Sequence, residues 1–231
     1  MTEIAEHFFE SREAASVAAA QCIAAALAAQ LQRQPEASLV VTGGSSPARC
    51  YAALAATAID WSRVHILLSD ERWVPASDKD SNEKLLRDTL LVEQAVNAQL
   101  HSIFAADTTP EQRCQALDAQ LPGLPLPFAS VLLGMGEDGH FASLFPDAPN
   151  LAAGLAADNP RYCIPVSTAA SQHRRISMTL AALLQSEQIV LLFFGAAKHA
   201  VYTRARAGSS DYPVTTLLAQ ERTPVHAFWA A

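Results

Sequence analysis

The sequence alternates short, continuously apolar runs with longer stretches of helical periodicity. Runs that are apolar at every position, rather than at alternate positions, are typical of parallel strands buried on both faces of a sheet. The alternation therefore predicts an α/β fold: a doubly wound, mainly parallel, Rossmann-like sheet with helices on both faces. We predict strands at residues 38–41, 64–69, 128–133, 161–166, 189–194 and 225–229, the last as a closing edge strand, and helices at residues 48–56 and 83–93 and from Pro110 onward.

The length and composition indicate a single domain over residues 1–231. Hydrophobic residues make up 50% of the chain and charged residues 17%, a composition that excludes intrinsic disorder. The net charge is −7 and the basic residues form no cluster, which argues against a nucleic-acid partner. The segment 121–127 is rich in proline and glycine but too short for a domain linker.

An alanine-rich segment, residues 14–31, invites comparison with a signal peptide or a membrane helix. Glutamates rather than basic residues precede it, whereas a signal peptide begins with positive charge. Ile23, Leu27 and Leu31 recur every four residues, as on one face of a soluble helix. We therefore expect a cytoplasmic protein with no membrane partner, and we expect its four widely spaced cysteines to be reduced thiols.

Ligands of doubly wound sheets bind beyond the carboxyl ends of the strands, here the loops after residues 41, 69, 133 and 194. The first loop carries Gly43, Gly44, Ser45 and Ser46 ahead of a helix, and its N–H groups and hydroxyls can cradle a phosphate. No lysine stands in Walker A register, which argues against ATP chemistry. Two other interpretations are an ordinary strand-to-helix turn and, with Pro47 in place of the last glycine, a G-x-S-x-G nucleophile elbow at Ser45.

The second loop carries Asp70, Glu71 and Arg72 next to Trp73. In the functional interpretation, Arg72 binds an anion or an oxyanion, and the two acids orient its side chain. The alternative is an ion pair above a packed tryptophan, which contributes at most about 1 kcal/mol when it is exposed.

The third loop reads GMGEDGH and matches the G-x-G-x-x-G pattern of dinucleotide-binding loops. Pro146 cuts short the helix that would carry a pyrophosphate, and the acids of the loop would face the phosphates. We favour a different hypothesis, in which the glycines expose His140 as a general base and Asp138 fixes its tautomer.

Two further cations complete the candidate set. Arg175 precedes the segment ISMT, and Lys198 lies in the first turn of a predicted helix, where a positive charge opposes the helix dipole. That placement is favourable if Lys198 faces an anion. The other histidines lack metal-ligand spacing, so we predict neither a metal site nor a cofactor.

At these loops the sequence resembles the 6-phosphogluconolactonase family, within the wider glucosamine-6-phosphate deaminase/isomerase superfamily. The matching segments run in family order from residue 40 to about residue 199 and are VVTGGSSPARCYAAL, ILLSDERWVP, SNEKLLRDTLL, VLLGMGEDGHFASLFP, RRISMT and FFGAAKH. The resemblance implies hydrolysis of 6-phospho-D-glucono-1,5-lactone to 6-phosphogluconate, in the pentose phosphate pathway and without a metal or cofactor.

The resemblance also implies a role for each candidate residue. His140 would activate the water that attacks the lactone carbonyl, and Asp138 would support His140. Arg72 would stabilise the oxyanion or orient the substrate, and Asp70 corresponds to an acid that carries protons in the deaminases. The 6-phosphate would be held by Gly43, Gly44, Ser45, Ser46, Arg175 and Lys198.

One position separates the two branches of the superfamily. The deaminases have a glutamate that assists ring opening where this sequence has Phe145, and a phenylalanine cannot transfer a proton. A lactonase is therefore favoured over a glucosamine-6-phosphate deaminase or isomerase. The other alternative is a sugar-phosphate-binding protein without catalysis, and the intact His140, Asp138 and Arg72 argue against it. The oligomeric state, monomer or dimer, is left open.

Overall fold

The structure is a computed structural model that describes residues 4–44, 46–169 and 171–231. Its strands are β1 (Ile4–Phe9), β2 (Ala37–Val41), β3 (Val64–Leu68), β4 (Asp70–Arg72), β5 (Gln99–His101), β6 (Ser130–Leu133), β7 (Cys163–Val166), β8 (Arg175–Met178), β9 (Ile189–Phe194) and β10 (Val225–Ala230). Its α-helices are α1 (Arg12–Arg33), α2 (Ala48–Ala55), α3 (Asn82–Thr89), α4 (Pro110–Gln120), α5 (Leu151–Leu155), α6 (Leu180–Leu183), α7 (Ala196–Arg206) and α8 (Pro213–Ala219).

In the described part of the chain, seven strands form one parallel sheet in the order β1-β10-β9-β6-β2-β3-β5. The chain moves in one direction from β2 to β3 and in the other from β6 to β9 and β10. Because such crossovers are right-handed, the two directions place helices on both faces of the sheet. The predicted doubly wound, mainly parallel α/β fold is confirmed.

The direction of winding changes between β2 and β6, which are neighbours in the sheet. All residues of β2, β3 and β6 are buried, so these strands form the centre of the core. The loops that follow β2 and β6 leave the same edge of the sheet side by side. In folds of this kind such a switch point is where ligands bind.

Three further strands form a small antiparallel sheet in the order β4-β8-β7, in which Arg72 lies directly opposite Arg175. The strand predicted at 161–166 is therefore not part of the main sheet, because β7 pairs with β8. Its residues are largely buried, and it packs against α4. An apolar run alone does not distinguish this kind of burial from burial inside a parallel sheet.

The prediction of a closing edge strand at 225–229 is wrong. β10 lies between β1 and β9, and β1 occupies the edge. The residues of β1 are half-buried or exposed, so its sequence lacks the continuous apolar run that identified the other strands.

Among the described residues, α1 is long and apolar enough, by length and composition alone, to cross a membrane. A buried core helix meets the same criteria. In this structure Ile23 and Leu27 are fully buried, and α1 packs against β9 and β10. The apolar face of α1 is thus buried against the main sheet. The cytoplasmic location stays a prediction from the sequence.

Candidate active site

A cleft of about 230 Å³ opens at the switch point, and all four loops singled out in the sequence contribute to it. Asp138 lies beside the cleft and contacts it through His140. Ser45 lies outside the described residues. The other predicted site residues all line the cleft: Gly43, Gly44, Ser46, Asp70, Arg72, His140, Arg175 and Lys198.

The imidazole of His140 is held by the carboxylate of Asp138. Nδ1 of His140 lies 2.6 Å from Oδ1 of Asp138, and the same oxygen accepts the backbone N–H of His140 at 3.2 Å. Partial burial alone raises the pKa of Asp138, but the hydrogen bond and charge of His140 outweigh it, so the pKa lies below its usual value. Asp138 is therefore a carboxylate at neutral pH.

Two glycines allow the loop after β6 to fold tightly around this pair. A Cβ on Gly136 would lie 2.3 Å from Nδ1 of His140 and 2.4 Å from Oδ1 of Asp138. Gly139 has a φ of +75°, and a Cβ there would lie 2.5 Å from Tyr212. The two glycines are required by close packing and by backbone conformation, and the loop presents His140 to the cleft.

The guanidinium of Arg72 is not oriented by the neighbouring acids, contrary to the prediction. Its Nη1 donates to the backbone carbonyl of Asp80 at 2.6 Å. Asp80 in turn accepts a hydrogen bond from Nε2 of His173 at 3.0 Å. Arg72 is thus fixed by the loop before α3, which comes eight residues later in the sequence.

Glu71 instead caps the N-terminus of α3. Its carboxylate accepts the backbone N–H groups of Asn82 and Glu83 and the hydroxyl of Ser81. Burial raises the pKa of Glu71 despite these hydrogen bonds. The acid is a structural element that positions the loop holding Arg72.

Asp70 is paired with the other arginine of the small sheet. It accepts the hydroxyl of Ser143 at 2.6 Å, and its Oδ2 lies 3.8 Å from Nη1 of Arg175. Burial lowers the pKa of Arg175, and the charge of Asp70 opposes that shift. Arg175 also donates to the hydroxyl of Ser171 at 3.1 Å, which leaves it fixed at the edge of the cleft.

The N-terminus of α2 borders the cleft, and α7 contributes Lys198 to it. The N-caps of α2 and α7 are Pro47 and Gly195, and neither makes a side-chain capping hydrogen bond. Lys198 lies in the first turn of α7 and makes no salt bridge with any carboxylate of the described residues. N–H groups and an unpaired ammonium form a surface suited to an anion.

Sequence reasoning did not assign a role to Asn82, which is buried and lines the cleft. Its Nδ2 donates to the backbone carbonyl of Asp70 at 2.9 Å, and a Cβ on Gly43 would lie 1.9 Å from its Oδ1. The glycine therefore makes room for an amide that joins two loops. The role of Asn82 depends on the packing of α3 beside the loop after β2, which local sequence does not reveal.

Within the described ranges, no group of three or more His, Cys, Asp or Glu side chains is placed to hold a metal ion.

Comparison with known proteins identifies the family. The sequence model of a family described as glucosamine-6-phosphate isomerases/6-phosphogluconolactonase matches residues 10–227. The 6-phosphogluconolactonase of Caulobacter vibrioides is 40% identical over 233 residues, which cover 99% of this chain and 98% of that protein. The one from Pseudomonas aeruginosa is 36% identical over 209 residues, or 90% and 84% of the two chains.

A solved structure agrees with these relatives. The crystal structure of a 6-phosphogluconolactonase from Shewanella baltica superposes with a TM-score of 0.93 at 36% identity, over 99% of this chain and 98% of that one. The chain therefore belongs to the glucosamine-6-phosphate isomerase/6-phosphogluconolactonase family, in the branch of the 6-phosphogluconolactonases, which are hydrolases acting on a lactone.

Proposed function

We propose that this chain hydrolyses 6-phospho-D-glucono-1,5-lactone to 6-phospho-D-gluconate, with His140 as the general base. The observation that carries the proposal is the arrangement of the cleft. A histidine–carboxylate pair borders it at the loop after β6. The uncapped N-terminus of α2 and Lys198, which forms no salt bridge with a described residue, border the same cleft. A base and an anion site within one cleft suit a phosphorylated substrate whose carbonyl is attacked by water.

The tautomer of His140 supports its role as the base. The carboxylate of Asp138 accepts a hydrogen bond from Nδ1–H, so Nε2 carries the lone pair that can take a proton from water. The hydroxide attacks the lactone carbonyl carbon and forms a tetrahedral oxyanion. When that intermediate collapses, the bond between the carbonyl carbon and the ring oxygen breaks, and the imidazolium returns its proton to the ring oxygen. General acid–base catalysis of this kind increases a reaction rate by about 10²–10⁴-fold.

We assign Arg72 to stabilisation of the oxyanion. Its guanidinium lines the cleft with His140, and the carbonyl of Asp80 fixes its orientation before substrate binds. A preorganised donor of this kind contributes about 10²–10³-fold. Asp70, held by Ser143, offsets the charge of Arg175, so we assign it the positioning of that arginine rather than proton transfer.

The 6-phosphate is assigned to the other loops. Gly43, Gly44 and Ser46 precede α2, and Lys198 lies in the first turn of α7, so backbone N–H groups, a hydroxyl and an ammonium line the same cleft. Arg175, which also lines the cleft, adds a second positive charge. Charge-assisted hydrogen bonds of this kind contribute about 1.5–3 kcal/mol each, and they hold the lactone in place for attack.

The test generates the lactone in situ from glucose 6-phosphate and its dehydrogenase, with 6-phosphogluconate dehydrogenase in excess and EDTA present. The second phase of NADPH formation reports lactone opening. We expect the wild-type protein to accelerate it above spontaneous hydrolysis, and His140→Ala with an unchanged melting temperature to reduce kcat by about 10²–10⁴-fold. If folded wild-type protein gives no acceleration, the proposal fails, and ammonia release from glucosamine 6-phosphate would then indicate a deaminase.

A further inference from the structure

Phe145 contacts two residues of the proposed mechanism at once. Its ring centroid lies 4.3 Å from that of His140, with the planes tilted by 42°. The guanidinium carbon of Arg175 lies over the same ring, 5.1 Å from its centroid. Among the described residues, no other aromatic ring contacts either side chain. The phenylalanine that stands in place of the deaminase glutamate is therefore in direct contact with both groups.

The imidazole of His140 is confined by three contacts. Asp138 holds Nδ1, and the backbone at Gly136 approaches so closely that an added Cβ would lie 2.3 Å from Nδ1 and 2.4 Å from Cε1. The ring of Phe145 supplies the third contact. A single hydrogen bond at Nδ1 still permits the ring to swing about that atom, so the packing contacts define where Nε2 points.

The contact with Arg175 explains why an aromatic ring suits this position. The guanidinium is largely withdrawn from water, and a π face partly compensates a cation for lost solvation. An aliphatic side chain would fill the space but would offer neither the flat surface for the imidazole nor the π face for the guanidinium. The ring of Phe145 thus keeps both the guanidinium of Arg175 and the imidazole of His140 in fixed positions.

We propose that Phe145 is a positioning residue that sets the orientation of His140 for catalysis and holds Arg175 at the edge of the cleft. This inference rests on the proposed lactonase function. In the sequence, Phe145 was significant only because it replaces a glutamate that transfers protons. Here its ring has a role of its own, because it contributes to the rate of the reaction.

The experiment compares Phe145→Leu, Phe145→Met and Phe145→Tyr in the lactonase assay. Phe145 is only partly buried and lines a second groove beside the cleft, here called the outer groove, to which Asp138 and Asp147 also contribute. A tyrosine hydroxyl at this position can therefore reach solvent. We expect the leucine and methionine variants to lower kcat by about 10- to 100-fold, since misplacing a catalytic group by about 1 Å has an effect of this size. KM should rise by a smaller factor, because Arg175, which is assigned to the 6-phosphate, loses its contact with the ring. The tyrosine variant should stay within about threefold of wild type. Phe8→Leu, at an exposed residue of β1, is the matched control and should leave kcat unchanged.

Several outcomes overturn the proposal. It fails if Phe145→Leu keeps kcat within about twofold of wild type, or if Phe145→Tyr loses as much activity as Phe145→Leu at the same melting temperature. It also fails if neither aliphatic variant folds, because the ring would then act on stability rather than on orientation. An inactive wild-type enzyme would instead refute the proposed lactonase function, so the two failures are distinguishable.

Discussion

Nδ1 of His140 lies 2.6 Å from Oδ1 of Asp138, two residues earlier in the chain. The backbone around the two residues turns sharply, with the N–H of Gly139 donating to the carbonyl of Gly136 at 3.1 Å. The left-handed Gly139 provides that turn, and the N–H of Gly136 closes the loop by donating to the carbonyl of His140 at 2.9 Å. The pair is therefore assembled by the loop itself, and the sheet has only to place that loop at the switch point.

Asp138→Asn tests the contribution of the carboxylate. The amide keeps the shape of the side chain but loses the charge that stabilises the imidazolium, and it can bind the wrong tautomer. We expect kcat to fall by about 10²–10⁴-fold with little change in KM, since Asp138 does not line the cleft. Asp147→Asn is the control, because Asp147 is an exposed acid on the same outer groove. Equal kcat values for Asp138→Asn and wild type would contradict the role of Asp138.

Gly136→Ala tests the close packing behind the imidazole. The added methyl group would lie 2.3 Å from Nδ1 of His140, so the histidine or the loop must move. The φ of Gly136 is not in the left-handed region, which makes this a packing effect rather than a backbone one. We expect kcat to fall by at least about 10²-fold. Gly123→Ala, where a Cβ meets no atom within 4 Å, should behave as wild type, and a Gly136→Ala enzyme with full activity would show that the loop is compliant.

Lys198→Ala tests the phosphate assignment. Removal of one charge-assisted hydrogen bond should raise KM by about 10- to 100-fold and leave kcat largely unchanged. Lys84→Ala is the control, since Lys84 is half-buried and pairs with Asp88 on α3, away from the residues that line the cleft. A fall in kcat at constant KM would remove Lys198 from the phosphate site and place it in the chemical step.

Local sequence signals predicted the elements that position the site. Continuous apolar runs identified β2, β3, β6 and β9, and Pro110 at the first helical position marked the start of α4. The structure adds a capping box between Thr109 and Gln112 at that helix start. Once the sheet was recognised as parallel, the carboxyl ends of its strands had to share one edge. The four candidate loops could therefore be named before any contact between them was known.

Long-range contacts could not be predicted in this way. Arg72 and Arg175 face each other in a small sheet although they are far apart in sequence, and no local pattern reports that pairing. Likewise, the assignment of Glu71 to the N-terminus of α3 rather than to Arg72 depends on where α3 packs. The contact between Phe145 and His140 could not be predicted either, because the presence of a phenylalanine in the sequence does not reveal which side chains its ring contacts.

Acidification should destabilise the fold through two pairs of histidines. His101 contacts His65 at 2.9 Å, and burial followed by the charge of His65 lowers the pKa of His101. Burial and the charge of His7 lower the pKa of His226 in the same way. Below about pH 6.5, the pKa of a histidine in the unfolded chain, the unfolded chain therefore binds more protons than the folded chain. The stability that comes from keeping His101 and His226 neutral is complete above that pH. It is lost as the pH falls from there toward the lowered pKa values of the folded protein.

The measurement is the melting temperature at pH 7.5 and at pH 5.5. We expect a lower value at pH 5.5, with each kcal/mol of lost stability equal to about 2–4 °C for a chain of this size. His101→Gln and His226→Gln should each reduce the difference between the two temperatures, and the double variant should reduce it further. The pairs lie in different parts of the main sheet, β3 with β5 and β1 with β10, so their effects should add. A pH dependence unchanged in the double variant would contradict the contribution of His101 and His226 to acid stability.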